Sequence, residues 1–552
     1  MSTIKKFLYF FHALLFVFLV ACGKNKAPKE HPLIIHNAHL DAGWYPHNPL
    51  HLNAALDTYF TQAQKTFALS PTHGTAVRAL IAPHAGMAYS GLCAAAAYQT
   101  LYEPSHDKKK VEKNRTIDRV IVLAPAHTDF FHGVALPSFT IYRTPLGDIP
   151  LALDALSLLQ KSPGFRPGDH TYEQEHAIEM QLPFLQKTIA DFELVPLIVG
   201  SINKEEELYF ILQGLKKIIT PTTLLVISSD FTHHGKSFDY NMFTHHISAQ
   251  IRMLDSLAVQ AICKRSFEDF QKVLFETDVT VCGQNPLKIL LGLFTLNILP
   301  PLTPHVACAY TSAQLAQAIS QSLEIDTKKL LQIPSDEQSQ HSVSYVGIVF
   351  TDPIPTAHQS NDFLTGYEKQ SLLSLARITL ENSRLPLEEQ CAEQYLIPLL
   401  TPSLQKNAGA FVTLNTRAGE LRGCIGTLTT NQQLPTTIIT MTRAAAFKDH
   451  RFLPLAPTEV DNVVIDITIL TPPVSVASIN DIIIGKHGVI LNKCDEHGTL
   501  KASSVFLPQV PVGQGWNREK TLEELSKKAG LAKDAWKDGC SFEVFEGFEI
   551  KE

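Results

Sequence analysis

The sequence predicts an α/β fold with a mainly parallel sheet flanked by helices, followed by a smaller α+β domain, and three observations carry that prediction. First, short continuous apolar runs alternate with helix-like segments: "RALIAP" (78–83), "RVIVLAP" (119–125), "FELVPLIVG" (192–200) and "TLLVISS" (223–229). Apolar strands without polar alternation belong to a sheet covered on both faces, and the helical segments between them are the crossovers that parallel strands need. Second, the pattern changes at the polar, proline-bearing stretch "TDPIPTAHQSND" (351–362), which reads as a linker. Third, 552 residues are too many for one ordinary domain. The expected division is a first domain over 23–350, a linker over 351–364 and a second domain over 365–552.

In chain order, the first element is "MSTIKKFLYFFHALLFVFLVAC", a basic end at Lys5 and Lys6 followed by an apolar run from Phe7 to Val20. A spanning helix needs about 20 apolar residues. This run is shorter and reads as an export segment, a signal peptide over 1–22. Its end, "LVAC", resembles the lipobox of bacterial lipoproteins, which implies lipidation of Cys22 and an exported protein anchored to the membrane of the cell envelope, on the periplasmic or outer face. The net charge of -7 provides no broad basic field, and the lysines at 108–110 sit in a polar, loop-like stretch, so nucleic acid is not an expected partner. Nine scattered cysteines without a CxxC pair exclude zinc ribbons and the clusters that hold iron–sulfur centres. With Cys22 lipidated an even number remains, which leaves disulfides open.

Three of the predicted strands end in residues that bind metals or move protons: "IAPHAG" in His84, "LAPAHTD" in His127, and "ISSDFTHHG" in Asp230, His233 and His234. In open α/β sheets the crevice beyond the carboxyl ends of the strands is where ligands bind. A lone histidine there is more often structural, but three loaded strand ends argue for a site. Pro83 and Pro125 restrict the residue before them to extended geometry and stop each strand just short of its histidine. The segment "YEQEHAIEMQLPFL" (172–185) is expected to be helical, with Glu175, His176 and Glu179 on one face, and reads by itself as a solvated face over a core stripe. Cys282, in "VTVCGQNP", has three readings: buried filler, half of a disulfide, or a metal-binding thiolate.

The stretches "APHAGMAYSG", "APAHTDFFHGVALP", "EHAIEMQLPFL", "SSDFTHHG" and "CGQNP", in this order over about residues 75–350, resemble the Memo family. The resemblance implies a fold like that of class III extradiol dioxygenases and a metal site of two histidines and a cysteine. Carried over by motif, the ligands are His84, His127 and Cys282, with Asp230 and His233 lining the pocket as catalytic candidates and Glu175, His176 and His234 as neighbours that would support the ligands. Two departures stand beside it: "APAHTD" lacks the serine before and the histidine after His127 that the family favours, and Gln284 stands where a basic residue is common. Two imidazoles and a thiolate suit Fe(II) first, with Cu or Zn as alternatives, and leave coordination positions open.

In the second half, "LRGCIG" (421–426) places Arg422, Gly423 and Cys424 on a strand that passes close to another backbone. With "AAAFKDHRFLPL" (444–455), "ILTPP" (469–473), "IGKHGVIL" (484–491) and "FLPQVPVGQGW" (506–516), it resembles the AMMECR family over about 365–550. Arg422, Cys424, Lys448 and His487 are candidates for binding an anion or for thiol chemistry, and Cys424 is equally readable as a small buried hydrophobe. The two resemblances together imply two parts of the three-part AmmeMemoRadiSam system, whose radical SAM protein would be a separate partner. Two functions are in view: a metal-dependent oxidoreductase acting on a small or peptide-borne substrate, and a membrane-anchored module that binds metal or peptide without turnover.

Overall fold

The computed structural model describes residues 32–67, 76–102, 117–319, 325–332, 334–353, 364–386, 388, 390–497 and 499–552. The expected export segment with Cys22, and most of the expected linker, lie outside the described residues.

The first half carries strands β1 (Ile35–Asn37), β2 (Val77–Ala82), β3 (Arg119–Pro125), β4 (Val134–Leu136), β5 (Ile141–Thr144) and β6 (Gly147–Pro150). They are followed by β7 (Phe165–Pro167), β8 (Glu193–Val199), β9 (Thr223–Ser228), β10 (His233–His234), β11 (Thr303–Thr311) and β12 (Ser342–Thr351). The four apolar runs read as strands are β2, β3, β8 and β9, and they lie side by side in the order β2-β9-β3-β8, all parallel. Every residue of β9 is buried, as continuous apolar strands require.

The sheet as a whole is mixed. Among the described residues it has nine strands, and β12 joins β2, β10 and β11 antiparallel while β4 joins β8 antiparallel. The expectation of a mainly parallel sheet therefore holds for its centre, not its flanks. An antiparallel neighbour needs no helical crossover, so these strands leave no regular helix spacing in the sequence. Helix Gln284–Thr295 packs on β3 and β9, and the alanine-rich helix Met87–Tyr98 packs on β2 and β12.

A second correction concerns 172–185. The expected continuous helix is broken: a turn of helix ends at Tyr172, a non-helical stretch follows, and helix resumes only from Glu179. The cause is local competition for backbone donors. Glu175 accepts the N–H of Ala177 (3.0 Å) and of His127 (2.6 Å), and so pulls its own segment out of helical register. Nor is this a solvated face, because Glu175 and Glu179 are both buried. Glu179 accepts the backbone N–H groups of His39 and Leu40 and the hydroxyl of Tyr45.

The second half carries β13 (Ala410–Thr416), β14 (Leu421–Thr427), β15 (Val463–Leu470), β16 (Val474–Ser475), β17 (His487–Cys494), β18 (Leu500–Phe506) and β19 (Cys540–Lys551). They form an antiparallel sheet of order β14-β13-β15-β19-β17-β18, with β16 on β19. Helices Gly366–Ser383 and Leu434–Phe447 cover β13, β14 and β15. The two halves share a packed boundary, since Tyr367 and Leu399 belong to the first half's core cluster. All eight described cysteines are free, so no disulfide forms among them. Among the described residues, no helix is long and apolar enough to cross a membrane.

Candidate metal centre

Because β2, β9 and β3 are adjacent and parallel, the residues that follow them meet at one end of the sheet: His84 after β2, Asp230 after β9, His127 after β3. The non-helical stretch after Tyr172 brings His176 to the same place. Ligand atoms of His84, His127 and His176 all lie within 4.8 Å of one another, an arrangement that can hold a metal ion. The ring centroids are 5.1 Å apart for His84 and His127, 5.3 Å for His84 and His176, and 4.5 Å for His127 and His176. His84 is buried and His127 reaches the surface, so the cluster opens to solvent on one side.

The hydrogen bonds around the rings decide their tautomers. Ser228 Oγ donates its only proton to the Ala177 carbonyl (2.7 Å) and accepts Gln181 Nε2 (2.8 Å). His84 Nδ1, 2.8 Å from the same oxygen, must therefore be the donor, which leaves the lone pair on Nε2. His127 Nδ1 donates to Glu175 Oε1 (2.8 Å), which again leaves Nε2 free. His233 repeats the arrangement with the Phe231 carbonyl (2.8 Å). A metal-binding histidine characteristically has its second nitrogen tied in this way, which fixes ring and tautomer together.

The electrostatics favour neutral rings at His84 and His176. Burial, reinforced by the neighbouring rings of His127, His176 and His233, holds His84 well below the ordinary histidine range. Burial and His127 bring His176 down to about 4. At Glu175 burial opposes ionisation, but the hydrogen bonds from the His127 ring and backbone outweigh it and hold the carboxyl below its ordinary value. Two imidazoles held low by burial, beside a carboxylate held below its ordinary value, are protonation states that a cation requires, so this donor set fits a divalent transition metal.

Cys282 enters from the turn before helix Gln284–Thr295, with Sγ 3.2 Å from His84 Nε2 and accepting the Asp230 N–H at 3.2 Å. The three residues whose ligand atoms cluster are His84, His127 and His176, and Cys282 stands beside that group against His84. Burial, with Asp230 close by, pushes its thiol up, so the sulfur is protonated in the metal-free protein. Gly283 makes the approach sterically feasible: a Cβ there would stand 2.4 Å from the Ser229 side chain. Asp230 is buried and accepts the His84 backbone N–H (2.8 Å), so it fixes the turn, while the His84 ring is oriented by Ser228. His233 lies near enough to bear on the charge of both His84 and Asp230. His234 stacks on Phe243 (5.6 Å) and is outside the cluster.

Three contributors escaped sequence reasoning. Ser228 and Gln181 lie inside the quoted motifs but have no ligand chemistry of their own. Trp44, whose ring stands 4.6 Å from that of His176, lies in a segment with no motif at all.

In the second half, Arg422 forms a fork on Glu459 (2.9 and 3.0 Å) and reaches the Leu453 carbonyl (3.0 Å), so it braces the loop after Asp449. A Cβ at Gly423 would fall 2.2 Å from the Ala445 carbonyl, the close backbone approach that the motif suggested. Cys424 is half-buried, accepts the Thr413 hydroxyl at 3.2 Å and gives its backbone N–H to Asp449 (2.8 Å). Lys448 ends helix Leu434–Phe447, whereas His487 starts β17, separated from β14 by three strands of the sheet. The four anion-binding candidates are thus not gathered into one site.

Two family models match the chain, one described as Memo-like protein over residues 37–322 and one described as AMMECR1 over residues 373–550. Protein MEMO1 of Xenopus tropicalis is 35% identical over 260 residues, covering 46% of this chain and 82% of that protein. Protein MEMO1 of Homo sapiens is 33% identical over 260 residues with the same coverage, 46% and 82%. The memo-1 homolog of Caenorhabditis elegans is 33% identical over 255 residues, 45% of this chain and 68% of that protein. A crystal structure of an uncharacterized protein from Pyrococcus horikoshii aligns with a TM-score of 0.29 and 32% identity over 33% of this chain and 89% of that one. Motif order, strand-end geometry, the two family models and the MEMO1 relatives converge: the chain belongs to the Memo family and carries an AMMECR1 domain after its Memo domain.

Proposed function

We propose that the Memo domain is a mononuclear non-heme metal protein, an oxidoreductase of the extradiol-dioxygenase type acting on a small or peptide-borne substrate. The observation that carries this reading is the convergence of three imidazoles whose ligand atoms lie within 4.8 Å of one another, two of them with Nδ1 tied to a neighbouring oxygen. His84, His127 and His176 would hold the ion, with Cys282 beside His84 as the thiolate that the family pattern assigns. Fe(II) is the proposed metal, with Cu or Zn as alternatives; when bound it supplies Lewis acidity and open coordination positions.

The chain's own residues have distinct tasks. Ser228 and Glu175 orient the rings of His84 and His127, and Asp230 anchors the His84 turn. His233, its ring held through Nδ1 by the Phe231 carbonyl, is oriented to serve as general base. The surface position of His127 leaves an approach for substrate.

Around this centre the proposal places domains over 23–350 and 365–552, a lipid anchor at Cys22 that holds the exported protein to the cell-envelope membrane, and a separate radical SAM partner for the AMMECR1 domain. Metal analysis of purified protein with His84→Ala, His176→Ala and Cys282→Ala variants tests the site, and metal-dependent oxygen consumption tests turnover. Unchanged metal content in all three variants would overturn the site. Tight metal retention with no turnover over a wide substrate panel would favour a binding module instead.

A further inference from the structure

The two halves meet over a small cavity. Its wall on the Memo side includes Arg252 and Asp255, both on helix Ile247–Lys264, and the AMMECR1 side contributes Tyr367 and Ser371 from helix Gly366–Ser383. Its volume is about 30 Å³, room for about two water-sized guests.

Arg252 is unusual in this wall. Only 8% of it is exposed, and a guanidinium carries five N–H donors. Among the described residues it makes one hydrogen bond, from Nη2 to the Tyr395 carbonyl across the domain boundary (3.0 Å), and its Nε has no partner. No described carboxylate lies within ion-pair distance of it. Asp255, one turn along the same helix, is engaged elsewhere: it accepts the backbone N–H (3.2 Å) and hydroxyl (2.6 Å) of Thr232 and the hydroxyl of Ser344. The other ionisable groups that bear on Arg252 are Tyr367 and Cys391, and burial keeps both protonated. Burial lowers the guanidinium itself only to about 10, so it is cationic at neutral pH.

A buried cation without a counter-charge carries a large desolvation penalty, which is why such groups are paired in folded proteins. With no counter-charge among the described residues, a small anion from solution is the partner that fits, and the cavity sets its size. We propose that the interdomain cavity is a binding site for a compact monovalent anion of halide size, held by Arg252 and enclosed by the Tyr367 and Ser371 side chains of the AMMECR1 domain. Phosphate esters and larger carboxylates exceed the space. Because Arg252 comes from one half and the enclosing hydroxyls from the other, the anion ties the two domains together, and its loss loosens their docking.

The probe is bromide, applied to the full-length chain. Crystals grown or soaked in sodium bromide should show an anomalous peak beside the Arg252 guanidinium. Thermal unfolding at fixed ionic strength should show a saturable rise in Tm with bromide and none with gluconate, which is too large for the cavity. Arg252→Met, similar in length and uncharged, should abolish both responses. If that variant does not fold, the anomalous map of the unsubstituted protein decides. A cavity holding water alone, with no bromide peak at Arg252, overturns the proposal, as does an anion response that survives in Arg252→Met.

Discussion

Ser228 Oγ lies 2.8 Å from Nδ1 of His84 and has already committed its one proton to the Ala177 carbonyl. The imidazole can only donate to it, so a serine without any ligand chemistry decides which nitrogen of a buried histidine is available. Gln181 supports the arrangement from behind, donating to Ser228 and to the Pro83 carbonyl (3.0 Å) while its own oxygen accepts the Tyr98 hydroxyl (3.0 Å).

Ser228→Ala removes the acceptor for His84 Nδ1 and frees the ring to rotate or change tautomer. Metal affinity, measured by competition with a chromogenic chelator, is expected to fall by about 10- to 100-fold, with the fold intact by circular dichroism.

His176→Ala is expected to lower metal stoichiometry as much as His84→Ala does, because its ligand atom lies within 4.8 Å of those of His84 and His127. Elemental analysis after equal metal loading and desalting checks this. A His176→Ala protein that retains full metal would return the site to two histidines and Cys282.

Bound metal is expected to protect Cys282. Metal-stripped protein should lose free thiol at Cys282 faster than metal-loaded protein under mild alkylation, followed by peptide mass spectrometry, with the exposed Cys494 as internal reference. Equal rates in the two forms would count against ligation.

Gly423→Ala forces a methyl to within 2.2 Å of the Ala445 carbonyl, a backbone atom of helix Leu434–Phe447 that cannot move independently. The expected loss is about 1–3 kcal/mol in urea unfolding of the AMMECR1 transition.

Asp255 provides a pH test. Burial raises its carboxyl from 3.8 to about 6 in the folded protein, partly offset by the hydroxyls of Ser344 and Thr232. A raised carboxyl pKa means that the folded state holds its proton longer. The stabilisation is complete below the unfolded value and is lost as pH rises through the folded one, by about 3 kcal/mol. Asp255→Asn should therefore show a flatter stability profile across that window in denaturant titrations at a series of pH values.

The strands at the heart of the Memo domain were legible because being buried on both faces demands continuous apolar residues. "RVIVLAP" became β3 over the same residues, and "TLLVISS" became β9 with its last serine just beyond the strand. The candidate site was legible in part for the same reason, since a histidine or aspartate directly after such a strand lies at its carboxyl end. The segment 172–185 was misread because periodicity records only which residues face a core. It does not register that the Glu175 carboxylate takes the backbone donors of a helix.

By itself, the sequence determined that there are two domains, which runs become the central strands, and that His84, His127 and Asp230 stand at strand ends, because these follow from local pattern and chain direction. The tertiary structure decided that β9 lies between β2 and β3, which gathers those ends at one place. It also decided that His176 completes the cluster and that Ser228 sets the His84 tautomer. It left Arg252 buried between the halves with no counter-charge among the described residues. Each of these depends on contacts between residues far apart in the chain, and the identity of a residue carries no record of its distant neighbours.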